Sequence, residues 1–172
     1  VSFQNTYGLP IVITHCMNVF GQRQHPEKYI PNTISKILKD EKITIHSDKD
    51  NNPGSRHYIH TDDVSSAVIE IVRNRKELEK NQYEKFGANC LKVNIASSLE
   101  LNNFEVADVI AKKLNKKFDY EFIDVPSNRP GHDLRYALDG KKLKKLGWEP
   151  KKDVVKRIKQ TVDWTINNRD WL

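Results

Sequence analysis

The chain has 172 residues and a net charge of +6, and 46 of its residues are Val, Ile, Leu or Phe. That apolar share lies above the roughly 20% below which chains tend to stay disordered, so a packed core is expected. No apolar run approaches the ~20 residues of a membrane span, no basic-then-apolar leader opens the chain, and two cysteines, Cys16 and Cys90, make no disulfide framework, so a cytoplasmic setting is the default.

In chain order, β-branched residues at 11–14 predict a first strand. Pro31 suits the first position of a helix that continues through Ile34, Ile37 and Leu38. Residues 43–45 read as a strand, and the polar stretch 48–55, with its Asn-Asn-Pro-Gly, as a loop. A strand at 57–59 follows. Val64, Ala67, Val68, Ile71 and Val72 then mark one helix face behind Thr61, Asp62 and Asp63, whose acids suit the positive end of the helix dipole. Residues 76–85 read as a polar connector, and residues 91–95 as a strand. Asn102 and Glu105 form a capping-box pattern ahead of Val106, Ala107, Ile110 and Leu114. A strand at 120–123 comes next, then a short lysine-rich helix between Asp139 as N-cap and Gly147 as stop. Asp153 caps a last helix carrying Val154, Val155, Ile158, Val162 and Ile166. Strands alternating with helices predict an α/β chain.

The residues alone exclude several chemistries. Seven scattered glycines form neither G-x-G-x-x-G nor a P-loop. None of the six tyrosines has a lysine four residues on, and no His, Cys, Asp or Glu grouping has metal-site spacing. His15 and Cys16 are strand neighbours that point apart, so Cys16 is expected to be a buried structural thiol. The lysines at 141–145 lack interleaved aromatics, which argues against a nucleic-acid surface. What remains is polar groups at strand ends and turns: Asn18 after the first strand, Arg56 after a loop, and Arg129 and His132 flanking a Pro-Gly turn. Strand ends of α/β sheets are where ligands bind, and an arginine fork suits phosphate oxygens.

These positions carry a resemblance. Residues 7–10, 15–21 and 25–31, then 56–64, 93–95, 129–136, 143–150 and 161–164, resemble the second half of nucleotide-sugar dehydratases in the extended short-chain dehydrogenase/reductase superfamily. The Arg-Pro-Gly-His-Asp-x-Arg-Tyr string at 129–136 resembles most specifically the dTDP-glucose 4,6-dehydratases. The resemblance implies the C-terminal, substrate-binding lobe of a Rossmann-type enzyme over 1–172, with a strand that would join a parallel sheet in an N-terminal NAD-binding domain. It implies NAD as cofactor of the parent enzyme and a nucleotide sugar, dTDP-glucose, as substrate. The parent would be a homodimer, with no nucleic acid or membrane as partner.

The implied reaction removes a hydride from C4 of glucose, loses water across C5 and C6, and returns the hydride at C6. The glycine motif and catalytic groups of the family would lie upstream of Val1. No catalytic residue is therefore assigned here, and the chain alone is expected to be inactive and to self-associate through exposed apolar surface. With Val1 at its start and Met17 as its only methionine, the chain is read as a segment of a longer protein. The substrate-binding residues implied are Asn18, Lys28, Pro31, His46, Arg56, Asn94, Arg129 and His132. Two differences from the family pattern bear on the base. His46 stands where the family has a tyrosine beside the nucleobase, and the following loop is longer by about three residues, so thymine and uracil both remain open. A related UDP-sugar dehydratase, epimerase or decarboxylase is the alternative within the superfamily. A non-catalytic binding module is the alternative outside it.

Overall fold

A computed structural model describes residues 1–86, 91–97, 99–124 and 133–172. Arg129, His132 and Cys90 lie outside the described residues. In chain order, α1 (Ser2–Tyr7) leads to β1 (Val12–Cys16), β2 (Val19–Phe20) and α2 (Tyr29–Leu38). Then come β3 (Ile43–Ser47), β4 (Ser55–Arg56), β5 (Ile59–His60), α3 (Thr61–Arg73) and α4 (Arg75–Phe86). β6 (Leu91–Ile95), β7 (Leu101–Asn102), α5 (Asn103–Leu114) and β8 (Tyr120–Asp124) follow. β9 (Arg135–Tyr136), α6 (Lys141–Lys145) and α7 (Val154–Asn167) complete the chain before a 3-10 turn at Arg169–Trp171.

Among the described residues the strands form small separate sheets. β1 pairs β6, β2 pairs β5 and β3 pairs β8, each in parallel, while β4 lies between antiparallel β7 and parallel β9. Parallel pairs need crossovers, which the helices supply. One core gathers Ile30, Ile34 and Ile37 of α2, Ile43 and Ile45 of β3, Val106 and Ile110 of α5, and Ile158 and Val162 of α7. A second gathers Leu91, Val93 and Ile95 of β6 with Ala67 and Ile71 of α3 and Leu143 of α6.

The caps show why these helices start where they do. Asn102 accepts from the Glu105 amide at 2.8 Å while Glu105 returns a bond to the Asn102 amide at 2.7 Å, the reciprocal capping box. Asp153 caps α7 through the Lys156 amide at 2.8 Å. Gly147, at φ 80, supplies the left-handed residue after α6.

Several expectations are corrected. α2 begins at Tyr29, not at Pro31. Lys28 is its extended N-cap, and proline is tolerated within the first turn because amides there have no helical acceptor. Residues 76–85 form most of α4, a helix that periodicity could not reveal because it is polar all round, held partly by the Arg75–Glu79 pair at 2.8 Å. The expected strand at 57–59 is divided: Arg56 belongs to one sheet and Ile59 to another, with His57 and Tyr58 spanning the gap. Gly140 rather than Asp139 is the N-cap of α6, although Asp139 still accepts from the Lys141 amide at 2.8 Å. On α3, Val68 and Val72 are exposed while Ala67 and Ile71 are buried. Cys16 is exposed rather than buried, because β1 has β6 on one side only among the described residues.

Candidate functional site

β1 and β2 meet at Asn18, which turns the chain at φ 47 and offers its carbonyl to the Ile59 amide at 3.3 Å. This left-handed conformation costs asparagine less than most residues. The next residues pass so close to α3 that a Cβ on Gly21 would collide with the Thr61 side chain. The turn thereby opens one wall of a cavity of about 360 Å³, whose lining includes Asn18, Phe20, Gln24, Lys28, Tyr29 and Tyr58. Among the described residues Lys28 is the one charged residue lining it, and none of their side chains caps the start of α2, which forms part of the wall. An ammonium beside uncapped helix amides favours an anionic guest.

Behind the cavity lies a polar cluster. The Tyr58 hydroxyl donates to Asn103 Oδ1 at 2.8 Å. The Tyr29 hydroxyl donates to the Asn103 carbonyl at 2.6 Å. The Asn103 amide in turn donates to the Gly54 carbonyl at 2.9 Å. Burial pushes both tyrosines well above the ordinary phenol range, so both are neutral donors.

Arg56 is buried two residues before Tyr58. Its guanidinium donates to the carbonyls of Ser55 at 2.6 Å, Leu134, and Asp133 at 3.1 Å, and lies 4.4 Å from the centre of the Tyr136 ring. Desolvation lowers its affinity for the proton, but an arginine remains charged. It holds the strand to the segment that follows residues 129–132. Gly54 is packed on the same segment, since a Cβ there would come within 2.9 Å of the Leu134 carbonyl.

A second clasp holds these strands together. Glu100 accepts from Ser55 Oγ at 2.5 Å and from Arg135 Nε and Nη2 at 2.8 Å each, bonds that pull its carboxyl down to about 2.

Of the residues expected from the sequence, Asn18 and Lys28 line this cavity, and Arg56 lies two residues before Tyr58 of its wall without lining it. Pro31 is buried within α2 and is not part of the lining. His46 is exposed on β3, opposite Ile123 in the register. Asn94 pairs with His15 across β1 and β6, donates to the Asp139 carbonyl at 3.1 Å, and lines a different cavity of about 280 Å³. Tyr58 and Asn103 were not singled out in the sequence. They are 45 positions apart, and only the antiparallel pairing of β4 with β7 brings them together. Among the described residues no group of His, Cys, Asp and Glu could hold a metal, and no helix is long and apolar enough to cross a membrane.

Comparison with known proteins gives this arrangement its context. The family described as GDP-mannose 4,6 dehydratase matches residues 1–161. A dTDP-glucose 4,6-dehydratase of Xanthomonas campestris is 32% identical over 179 aligned positions, covering 99% of this chain and 47% of the relative. A trifunctional UDP-glucose 4,6-dehydratase of Arabidopsis thaliana, which also carries epimerase and reductase activities in its name, is 34% identical and is covered over 23% of its length. The dTDP-glucose 4,6-dehydratase of Streptomyces venezuelae, solved with NAD and TYD bound, superposes with a TM-score of 0.77 at 30% identity, over 99% of this chain and 48% of that one. The chain thus spans about half the length of the dTDP-glucose dehydratases it matches. Its α/β fold is that of the C-terminal half of Rossmann-type extended short-chain dehydrogenase/reductase enzymes, and the chain belongs to the GDP-mannose 4,6 dehydratase family.

Proposed function

We propose that this chain is the nucleotide-sugar-binding portion of an NAD-dependent 4,6-dehydratase that converts dTDP-glucose to dTDP-4-keto-6-deoxyglucose and water. The observation that carries the proposal is the cavity at the end of β1, where Asn18, Lys28 and the start of α2 face one space with no carboxylate in its lining among the described residues. Such a wall suits a diphosphate. A cavity near 360 Å³ falls within the size range of small-molecule sites.

Arg56 serves this site from behind. Its bonds to the carbonyls of Leu134 and Asp133 position the segment next to Arg129 and His132. Both of these residues remain assigned to phosphate and ribose by resemblance alone. Replacing Arg56 by Lys keeps the charge but loses the planar fork, so nucleotide affinity falls through misplacement of that segment.

The residues of this chain do not fit NAD, since the sequence contains neither a glycine-rich dinucleotide turn nor Tyr-x-x-x-Lys. NAD dependence is therefore proposed for the whole protein, with the cofactor bound by residues outside this chain, and this chain alone is expected to show no turnover.

A second reading has its own support. The Arabidopsis relative, named for UDP-glucose, is slightly more identical than the dTDP-glucose enzymes, and His46 stands where the family tyrosine lies beside the base. UDP-glucose is therefore the alternative substrate.

Lys28→Ala and Asn18→Ala, titrated calorimetrically with dTDP beside the unaltered chain, test the site. Each is expected to weaken binding by about 1–2 kcal/mol. Unchanged affinity in both would remove the cavity from the binding site.

A further inference from the structure

We infer that Gln24 reads the guest of this cavity: its side-chain oxygen is the acceptor for a hydrogen-bond donor on the uncharged part of the guest, a sugar hydroxyl or a base N–H. The inference deepens the nucleotide-sugar reading and rests on it for the identity of the guest. Gln24 lines the cavity with Asn18 and Lys28. Its Nε2 donates to the Val19 carbonyl at 2.9 Å. A carbonyl only accepts, so the NH₂ end of the amide must face Val19, and that bond fixes which end is which. The other end, Oε1, is buried and accepts no hydrogen bond among the described residues. Buried polar atoms are nearly always paired, so an acceptor left over on a side chain that walls a cavity points to a donor brought by the guest.

The surrounding chain holds that oxygen in place. Val19, which anchors the amide, is itself paired with Ile59 across β2 and β5. Arg23, at φ 61, turns the chain just ahead of Gln24. Beyond it, the Lys28 amide donates to the His25 carbonyl at 2.9 Å, which fixes the end of the loop at the start of α2. Gln24 and Lys28 thus belong to one anchored loop and offer opposite chemistry. The Lys28 ammonium only donates, which suits phosphate oxygens, whereas Gln24 Oε1 only accepts, and a diphosphate diester has no hydrogen to give it. A nucleotide sugar carries both chemistries, with charge on its diphosphate and donors on its sugars and base. The torsion that turns a glutamine amide is broad, so Oε1 can meet a donor while Nε2 keeps its bond. A guest without the donor leaves Oε1 buried and unpaired, and an unpaired buried group is how sites reject analogues.

The test compares two ligands of equal charge by NMR titration of this chain, which also reads weak binding. One is dTDP-glucose, or UDP-glucose if that binds the unaltered chain more tightly. The other is dimethyl diphosphate, the same diester with no donor. Gln24→Ala removes the acceptor. Affinity for the nucleotide sugar is expected to fall about tenfold, the effect of losing one well-made hydrogen bond, while that for dimethyl diphosphate changes by less than about twofold. Gln24→Lys keeps a donor for the Val19 carbonyl and has no acceptor. Its added charge acts alike on two ligands of equal charge, so the preference for the nucleotide sugar over dimethyl diphosphate is the quantity read, and it is expected to fall about tenfold as well. The matching nucleoside diphosphate, titrated into Gln24→Ala, locates the donor: an equal fall places it on the nucleoside, and no fall places it on the hexose.

Unchanged affinity for the nucleotide sugar in Gln24→Ala overturns the inference. So does a preference in Gln24→Lys that stays as it is in the unaltered chain. In either case the unaltered chain still binds the nucleotide sugar, so that reading stands and only the role of Gln24 fails. If the unaltered chain binds neither nucleotide sugar, the nucleotide-sugar reading fails and the inference falls with it.

Discussion

Arg157 grips Asp63 through two hydrogen bonds of 2.9 Å, from Nε and from Nη2, and reaches Asp62 with a third of 2.9 Å. The pair bridges the two cores, since α7 packs in the first and α3 in the second. Both partners of the main pair are buried. Removing one side of such a pair strands the other charge away from water. Arg157→Met is therefore expected to lower unfolding stability by about 3–5 kcal/mol in a urea titration. A loss below about 1 kcal/mol would mean that the pair is solvated in solution.

Glu100 makes acid stability dependent on one carboxylate. Its bonds to Arg135 and Ser55 hold it at about 2, below the ordinary value of 4.5. A carboxyl depressed in the folded state stabilises above its unfolded pKa and loses that contribution as pH falls through the folded value. Its stabilisation should thus be full above pH ~4.5 and fade towards pH ~2. The difference in stability between the unaltered chain and Glu100→Gln should shrink across that window. A difference that does not change from pH 6 to pH 3 would contradict the clasp.

His60 works in the opposite sense of charge. It is 1% exposed, its Nδ1 accepts from the Asp62 amide at 3.2 Å, and Nε2 has no partner among the described residues. Burial is the leading cause that lowers its pKa, and Arg157 and Lys152 act the same way against the opposing pull of Asp62 and Asp63. The folded chain keeps this ring neutral where the unfolded chain would take a proton near pH 6.5. Stability is therefore expected to fall as pH drops through 6.5 towards the folded value, and a histidine NMR titration should place His60 below 6.5. A midpoint above 6.5 would contradict its burial as a neutral ring.

The exposed apolar surface predicts association. Val72 is 70% exposed and Ile69 51%, both on α3, and β1 has an unpaired edge among the described residues. Apolar patches and open strand edges attract partners. Sedimentation velocity should show a mean mass rising with concentration, and Val72→Lys should reduce it. A monomer at all concentrations would contradict this expectation.

Much of the fold was legible because its signals are local. The box of Asn102 with Glu105 and the cap at Asp153 announce α5 and α7 within four residues, and both are present. β6 alternates apolar Leu91, Val93 and Ile95 with polar Lys92 and Asn94 and matches its expected bounds. α4 was not legible, because charges on every face leave no apolar period. The break between Arg56 and Ile59 was not legible either, since each end follows a different sheet. The site divides the same way. Asn18 stood out at the end of a strand, whereas Tyr58 and Asn103 meet only through a contact across 45 residues.

The central claim is that the cavity at the end of β1 binds the nucleotide of a nucleotide sugar. Its most direct test is calorimetric titration of this chain with dTDP, UDP and NAD in parallel. The predicted result is binding of dTDP in preference to UDP, with no heat from NAD. Binding of NAD with neither dTDP nor UDP would contradict it.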